Sequence, residues 1–556
     1  MTEKQPDFTC RPEDSIEQQT PQFSCLPNET IEEIQHVELQ QPDRHMSVIK
    51  AIHSLTASRR SNEVGLNGPS NAANASETNK NVPEMNLYSR FYPRDAHVVA
   101  EILHETHPAL TEATIMASLA HTGVRENLRA PHGPQDEQER GKVPHEIRDV
   151  DDPHVLERAK SKDRAYPYYG AIDTTGKNMR AIARRSLENP PESLDFLHKE
   201  FEARNGKKYT VEEGLRAHVN WIRKRMDMNK EGLVESLWIN KKHHANQSWA
   251  DSPDAFHHED GSWAAHHPEK NWGVAALEVQ AETYDALLDT ADVYAHLCEQ
   301  ADGIEKDHLR TEIDDLTRRA EKLRSVILQE FWVDDPEHYG GYFARGTDRD
   351  EHGTLRPLRI RSSDMGHLLM SRVLDGDEEE VSAKREAVIR NLFSKEMLCP
   401  NGIRTLASDS LRYREDAYHN GSSWPWTSYY IAKGLEKHGY HGLAHEMKKR
   451  VWSFYDETKT LAEYGTGSGD TSRRINTDTQ ILVFDSSLNE EPIYHFSQHK
   501  IVQPPQEMQA WTVAALLAMK KEYGASVLYP ELATPLHTTD PAKSSLESEL
   551  LSALEK

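Results

Sequence analysis

Long helical patterns alternate with loops carrying Tyr, Trp, His, Asp and Glu, and this alternation restricts the folds open to the chain. Apolar residues recur at helical spacing over about residues 96–103, 109–124, 173–187, 210–227, 274–300, 306–331, 362–373, 380–394, 424–438, 440–455 and 506–523. Strand-like runs are few and short. The pattern predicts an all-α toroid, with helix pairs packed round an axis and the loops at one end building a pocket. A linear helical repeat is the alternative, but repeats would share loop sequence and these loops do not.

A length of 556 residues would ordinarily divide into several domains of ~150 residues, although a large single barrel breaks that rule. Residues 1–85 are rich in Gln, Glu, Pro, Ser and Asn and nearly lack aromatics, a composition that cannot bury enough apolar surface to fold alone. They hold a duplication: Pro6-Asp-Phe8-Thr-Cys10 through Ile16-Glu recurs as Pro21-Gln-Phe23-Ser-Cys25 through Ile31-Glu. Two copies are too few for a solenoid; the segment reads as a duplicated linker or a docking peptide. Residues 86–535 are expected to form one large folded domain. Residues 536–556 read as a C-terminal tail with a short final helix over about 544–554.

The balance of 66 basic against 91 acidic residues, a formal charge of −25, repels phosphate backbones and anionic membranes. Nucleic-acid and membrane partners are therefore not expected, and a neutral or cationic substrate is compatible. The four cysteines, Cys10, Cys25, Cys298 and Cys399, form no C-x-x-C pair and no disulfide framework. With no apolar leader and no run of ~18 apolar residues, the expected setting is cytoplasmic.

Chemistry concentrates in residues 246–263, Asn-Gln-Ser-Trp-Ala-Asp-Ser-Pro-Asp-Ala-Phe-His-His-Glu-Asp-Gly-Ser-Trp. Trp249 stands two residues before Asp251, and an indole wall would exclude water and raise the pKa of that carboxyl. Arg94-Asp95 could be a local ion pair or could hold adjacent sugar hydroxyls, one donating and one accepting. The loop Ala417-Tyr-His-Asn-Gly-Ser-Ser-Trp-Pro-Trp426 gathers aromatic, imidazole and amide groups. Glu463 follows an apolar pair and precedes a glycine-rich run, fixed on one side and open on the other. Gln509 and Trp511 enter the last long helix. The pairs His243-His244, His257-His258 and His266-His267, with His495 and His499, raise a metal site as a rival, but none stands in H-E-x-x-H and adjacent histidines point to different faces. No metal and no cofactor are expected, and no phosphate loop or G-x-S-x-G elbow occurs.

These motifs together resemble the glycogen-debranching (amylo-α-1,6-glucosidase) glycoside hydrolases, over about residues 86–525. The resemblance rests on Trp249-x-Asp251-Ser, His258-x-Asp260-Gly, Leu277-Glu-Val-Gln280-x-x-x-Tyr284-x-Ala286, Arg94-Asp95, Gly141-x-x-x-His145-Glu146-x-Arg148, Tyr169-Gly-x-x-Asp173-x-Thr175, Gly402-Ile-Arg404-Thr-Leu and Tyr418-His419-Asn420-Gly-Ser-x-Trp424-Pro, in that family's order. Mannosylglycerate and glucosylglycerate hydrolases share the toroid and both carboxylates and are close competitors. The resemblance implies an (α/α)6 barrel and an inverting mechanism on an α-glucosidic bond, with Asp251 as general acid and Glu463 as general base. It implies substrate contacts from Arg94, Asp95, His145, Glu146, Arg148, Tyr169, Asp173, Trp249, Gln280, His419, Asn420, Trp424, Gln509 and Trp511. Debranching relatives often carry a separate β-rich N-terminal domain that helps bind the glucan. Here residues 1–85 stand in its place, which favours a short oligosaccharide or small glycoside over a polymer. A carbohydrate-binding protein on a dead barrel is the non-enzymatic alternative, but binding alone needs neither an acid nor a base.

Overall fold

The structure, a computed structural model, describes residues 91–125, 137–148, 155, 164–458, 461–468, 509–523 and 538–554. The duplicated motif of residues 6–31 lies outside them.

Twelve α-helices run through the described residues: α1 Pro93–Ile102, α2 Pro108–Ala120, α3 Thr174–Ser186, α4 Val211–Met226, α5 Leu277–Gln300, α6 Gly303–Glu330, α7 Asp364–His367, α8 Glu379–Leu392, α9 Pro425–Lys437, α10 His441–Thr458, α11 Ala510–Tyr523 and α12 Pro541–Leu554. Their starts follow local chemistry. α1, α2 and α9 begin on a proline, whose fixed φ and missing N–H suit the first turn. α4 opens with a capping box, in which the Glu213 N–H donates to Thr210 Oγ1 at 3.2 Å and the Thr210 N–H to Glu213 Oε2 at 2.8 Å.

Burial sorts the helices into two kinds. Every residue of α5 from Leu277 to Leu287 is buried, so that part of the helix is enclosed on all sides. α6 buries only Leu309, Leu316, Ala320, Leu323 and Ile327, a single stripe. Contacts follow the same division. The odd-numbered helices pack each on the next, α1 on α3, α3 on α5, α5 on α7, α7 on α9, α9 on α11, and α11 returns to α1. The even-numbered helices lie against them, α2 on α1 and α3, α4 on α3, α6 on α5, α8 on α7 and α10 on α9.

Nine short strands make four small antiparallel sheets among the described residues, the largest with three strands. They brace the loops between helices; Ala275-Ala276, just before α5, pairs with Gly346 and Thr347.

One departure from the sequence reading is local. The helix expected over 362–373 is one α-helical turn, Asp364–His367, followed by a 3-10 turn over Arg372–Leu374. Serines divert the backbone there: Ser362 Oγ accepts from the Asp364 N–H at 3.3 Å, and Ser371 Oγ from the Val373 N–H at 3.1 Å. The final helix expected over about 544–554 is α12, which starts three residues earlier at Pro541 and docks on α10. Leu546 and Leu550 are buried, and Glu547 Oε1 accepts the Gly442 and Leu443 N–H groups at 2.7 and 3.1 Å, at the positive end of that helix.

Candidate active site

The inner helices place their N-terminal ends together. Arg94 and Asp95 sit in the first turn of α1, Asp173 is the N-cap of α3, Asp364 opens α7, Trp424 is the N-cap of α9, and Gln509 immediately precedes α11. Helix N-termini favour negative charge, so this end of the fold is where several carboxylates can be held close together.

Arg94 is the hub. It is 5% exposed, donates from Nε and Nη2 to Asp173 at 2.5 and 3.2 Å, and from Nη1 to Asp251 Oδ2 at 3.2 Å. Asp95, although adjacent in sequence, turns elsewhere and accepts from Gln509 Nε2 at 3.0 Å. Burial raises the Asp95 pKa well above the usual carboxylate range, and the charges of Glu463, Asp251 and Asp173 add to that against Arg94. Asp95, Asp173, Asp251 and Glu463 thus share one charged neighbourhood.

Asp251 Oδ2 also meets His145 Nε2 at 3.3 Å and His244 Nδ1 at 3.8 Å. Its side chain is 20% exposed. Burial alone would raise its pKa, but the His145 hydrogen bond and the charges of His244 and Arg94 outweigh that and hold it well below the ordinary carboxylate value. This corrects the expectation of a carboxyl lifted by Trp249. The indole is committed elsewhere: Trp249 Nε1 donates to Asp364 Oδ1 at 2.6 Å, and its ring packs edge-on to His419, Trp424 and Trp426. Asp254, three residues along, is raised by burial.

The oxygen and nitrogens of Asp251, His145 and His244 lie within 4.8 Å of one another, close enough to hold a small cation. Arg94 Nη1 on the same carboxylate oxygen already puts a positive charge there, which disfavours a second one.

Glu463 is 2% exposed and accepts from the Tyr418 hydroxyl at 2.5 Å. Its loop is pinned to the 417–423 loop by the Ser423–Gly465 bridge, whose two N–H···O bonds are both 2.7 Å. Gly467 is required by that approach, since a Cβ there would lie 1.9 Å from the Gly421 carbonyl oxygen. His419 stacks on Trp424, accepts the Ser252 N–H at 3.3 Å and has its pKa pushed down by burial to about 3, so it is a neutral imidazole. Trp424 stacks on Tyr464 and Trp426 on Trp511, and the two pairs meet edge-on through Trp424 and Trp511 to form an aromatic floor under these loops.

Several residues expected to meet substrate are occupied by the fold. Gln280 is fully buried; it accepts the Val234 N–H at 3.0 Å and donates to the Val234 and Ala276 carbonyls at 2.9 and 3.1 Å. Tyr169 donates its hydroxyl to the His121 carbonyl at 2.6 Å, toward α2. Glu146 pairs with Arg148 and accepts from Tyr92 at 2.6 Å, a buried cluster behind His145. Asn420 bridges Arg345 Nη1 at 3.0 Å and the Asp254 carbonyl at 2.8 Å, shaping the 251–254 loop. Trp424 donates to Ser422 Oγ at 2.9 Å and is 1% exposed. Gln280→Ala should therefore destabilise the protein by about 1–3 kcal/mol for each buried group left unpaired, measured by urea unfolding, with KM unchanged in the folded fraction. A raised KM at unchanged stability would return Gln280 to the substrate.

A further carboxyl lies near Asp364. Glu278 is buried and pushed up to about 8, by burial first and then by the charge of Asp364. A raised carboxyl keeps its proton in the folded state while the unfolded chain ionises. Its effect on stability is absent below about pH 4.5 and grows unfavourable up to about pH 8. Glu278→Gln should remove that decline, so its melting temperature should gain on the parent as pH rises through this window. Parallel curves would show that Glu278 holds no proton.

The gathered carboxylates, their hub arginine and the aromatic cluster lie together at one end of a helix-rich fold. Residues 135–474, which contain both Asp251 and Glu463, match the mannosylglycerate hydrolase MGH1-like glycoside hydrolase domain. The chain belongs to that family and is a glycoside hydrolase. Among solved structures it is similar to the GH63 mannosylglycerate hydrolase from Thermus thermophilus. The complex with Tris gives 13% identity over 78% of this chain and 93% of that one, with a TM-score of 0.48. The complex with Tris and D-glycerate gives 12% identity over 84% and 98%, with a TM-score of 0.49. The complex with glucose gives 14% identity over 77% and 92%, with a TM-score of 0.43. No curated protein matches the sequence. The family found is the small-glycoside alternative of the sequence reading, and the debranching assignment gives way to it.

Proposed function

We propose that this enzyme hydrolyses a small α-glycoside of the mannosylglycerate or glucosylglycerate kind, with inversion, using Asp251 as general acid and Glu463 as general base. The observation that carries the substrate class is the family match across both carboxylates. The supporting geometry is the shared charged neighbourhood of Asp251 and Glu463 and the anchoring of Glu463 by Tyr418. In an inverting step the base takes a proton from water as it attacks the anomeric carbon, while the acid protonates the departing oxygen. Arg94, Asp95 and Asp173, with Gln509, are the groups proposed to hold sugar hydroxyls. The non-catalytic reading falls with the family assignment.

The architecture proposed is an (α/α)6 toroid over residues 86–535, supported by the unbroken cycle of contacts from α1 through α11 back to α1. Residues 1–85 are proposed as a segment separate from it, and residues 536–556 as a C-terminal extension. Among the described residues no helix is long and apolar enough to cross a membrane. A cytoplasmic setting is proposed from the cysteine usage alone. The test is a hydrolysis panel of mannosylglycerate, glucosylglycerate, isomaltose, panose and limit dextrin. The reading predicts turnover of a glycerate glycoside well above any glucan, and preferential cleavage of isomaltose or limit dextrin would overturn it.

A further inference from the structure

Resting on that reading, we propose that Glu137 is a positioning residue for the reaction: through His243 and Gln247 it fixes the loop that presents Asp251 to the departing glycosidic oxygen. Two of the four non-glycine residues with positive φ among the described residues, Glu137 at 56° and Trp238 at 48°, converge on His243. A left-handed backbone is unfavourable for a residue with a side chain and persists where surrounding contacts impose it. Glu137 Oε1 accepts from His243 Nδ1 and Oε2 from Gln247 Nε2, both at 2.7 Å, and Trp238 Nε1 donates to the His243 carbonyl at 3.2 Å. The His243 side chain is fully buried, and that of Glu137 is 11% exposed. Burial alone would raise the Glu137 pKa, but the His243 hydrogen bond and the charge of Lys142 outweigh that and hold it below the ordinary value. It therefore accepts both bonds as a carboxylate. Charge-assisted bonds of this kind are strong and directional, so the loop cannot shift without breaking one.

The clamp reaches Asp251 by a short path. Gln247 stands four residues before it. The Gln247 carbonyl accepts the Ile172 N–H at 2.8 Å, next to Asp173, and the Gln247 N–H donates to Ser236 Oγ at 3.1 Å. Asp173 and Asp251 are the two carboxylates on Arg94, so one glutamine ties the loop to both partners of the hub. Asn246 Nδ2 donates to the Ser252 carbonyl at 2.8 Å and closes the chain around Asp251. Residues 137–148 thus grip the 243–252 stretch twice. Glu137 holds His243 and Gln247, and His145 Nε2 meets Asp251 Oδ2 at 3.3 Å. A displacement of about 1 Å in a reacting group can cost ~10²-fold in rate, so a clamp at this range can control the reaction without touching the sugar.

A clamp that aims the acid and one that only supports the fold give different kinetics. Misaiming Asp251 slows the departure of an alkoxide, which needs its proton, and hardly affects the departure of fluoride. General loosening of the site would slow both.

The experiment measures kcat and KM for α-mannosylglycerate and α-mannosyl fluoride in the parent, in Glu137→Ala, in Gln247→Glu and in the double variant Glu137→Gln/Gln247→Glu. We expect Glu137→Ala to lower kcat on α-mannosylglycerate by about ten- to hundredfold with KM little changed, and on the fluoride by about threefold or less. Gln247→Glu sets two carboxylates face to face and should give the same selective loss. The double variant exchanges acceptor and donor, restores a carboxylate–amide pair and should recover most of the α-mannosylglycerate rate. Both rates come from the same folded molecules, so their ratio stands even where a variant is less stable. Equal loss on both substrates in Glu137→Ala, no loss on either, or a double variant no better than Gln247→Glu would each overturn the proposal. If Asp251→Asn is fluoride-selective and Glu137→Ala is not, this inference alone fails. If the parent cleaves neither substrate, or Asp251→Asn loses both equally, the assignment of Asp251 made above fails and this inference fails with it.

Discussion

Glu463→Gln is expected to lower kcat by about 10²–10⁴-fold on every substrate, glycosyl fluorides included, while sugar binding survives. The carboxamide keeps the size and one acceptor oxygen of the side chain but cannot take a proton from water. The loss should fall in kcat with KM little changed, because the group acts on the water and not on the sugar. The loop itself should stand, since the Ser423–Gly465 bridge and the close approach at Gly467 hold it without the carboxylate. Steady-state kinetics with a melting curve separate these effects. Near-normal turnover would remove Glu463 from the mechanism.

Asp251→Asn should show a different pattern. Natural glycosides leave as alkoxides and need a proton, so their hydrolysis should fall by about 10²–10⁴-fold. Fluoride leaves with far less help, so α-mannosyl fluoride should keep much more of its rate. The split is informative because the structure offers a competitor: Asp254, raised by burial, is three residues along on the same loop. If Asp254→Asn shows the fluoride-selective rescue and Asp251→Asn loses both substrates equally, the acid is Asp254. Asp251 would then be a carboxylate that holds Arg94, His145 and His244 in place.

Helix positions were legible because long amphipathic patterns and initial prolines act locally, as at α1 and α9. The one poorly placed helix, α7, lost its length to serine hydroxyls that compete for backbone groups, an effect that periodicity does not register. The gathering of Arg94, Asp173, Asp251 and Gln509 was legible only as separate motifs; their meeting depends on which helix ends share one end of the fold. Gln280, Tyr169 and Asn420 are engaged by the fold, because a polar side chain in a shared motif serves a backbone clamp as readily as a ligand, and sequence does not distinguish the two. The sign of the Asp251 shift went wrong for a related reason. Trp249 is its sequence neighbour, but His145, His244 and Arg94 are its spatial ones, and only the fold brings them there.

The most direct test of the account is the anomer first released from α-mannosylglycerate, followed by ¹H NMR before mutarotation sets in. A water activated by Glu463 on the face opposite the leaving group must give β-mannose first, and that is the predicted result. α-Mannose as the first product would mean a covalent glycosyl-enzyme and a nucleophile, and would contradict the acid–base pair assigned to Asp251 and Glu463.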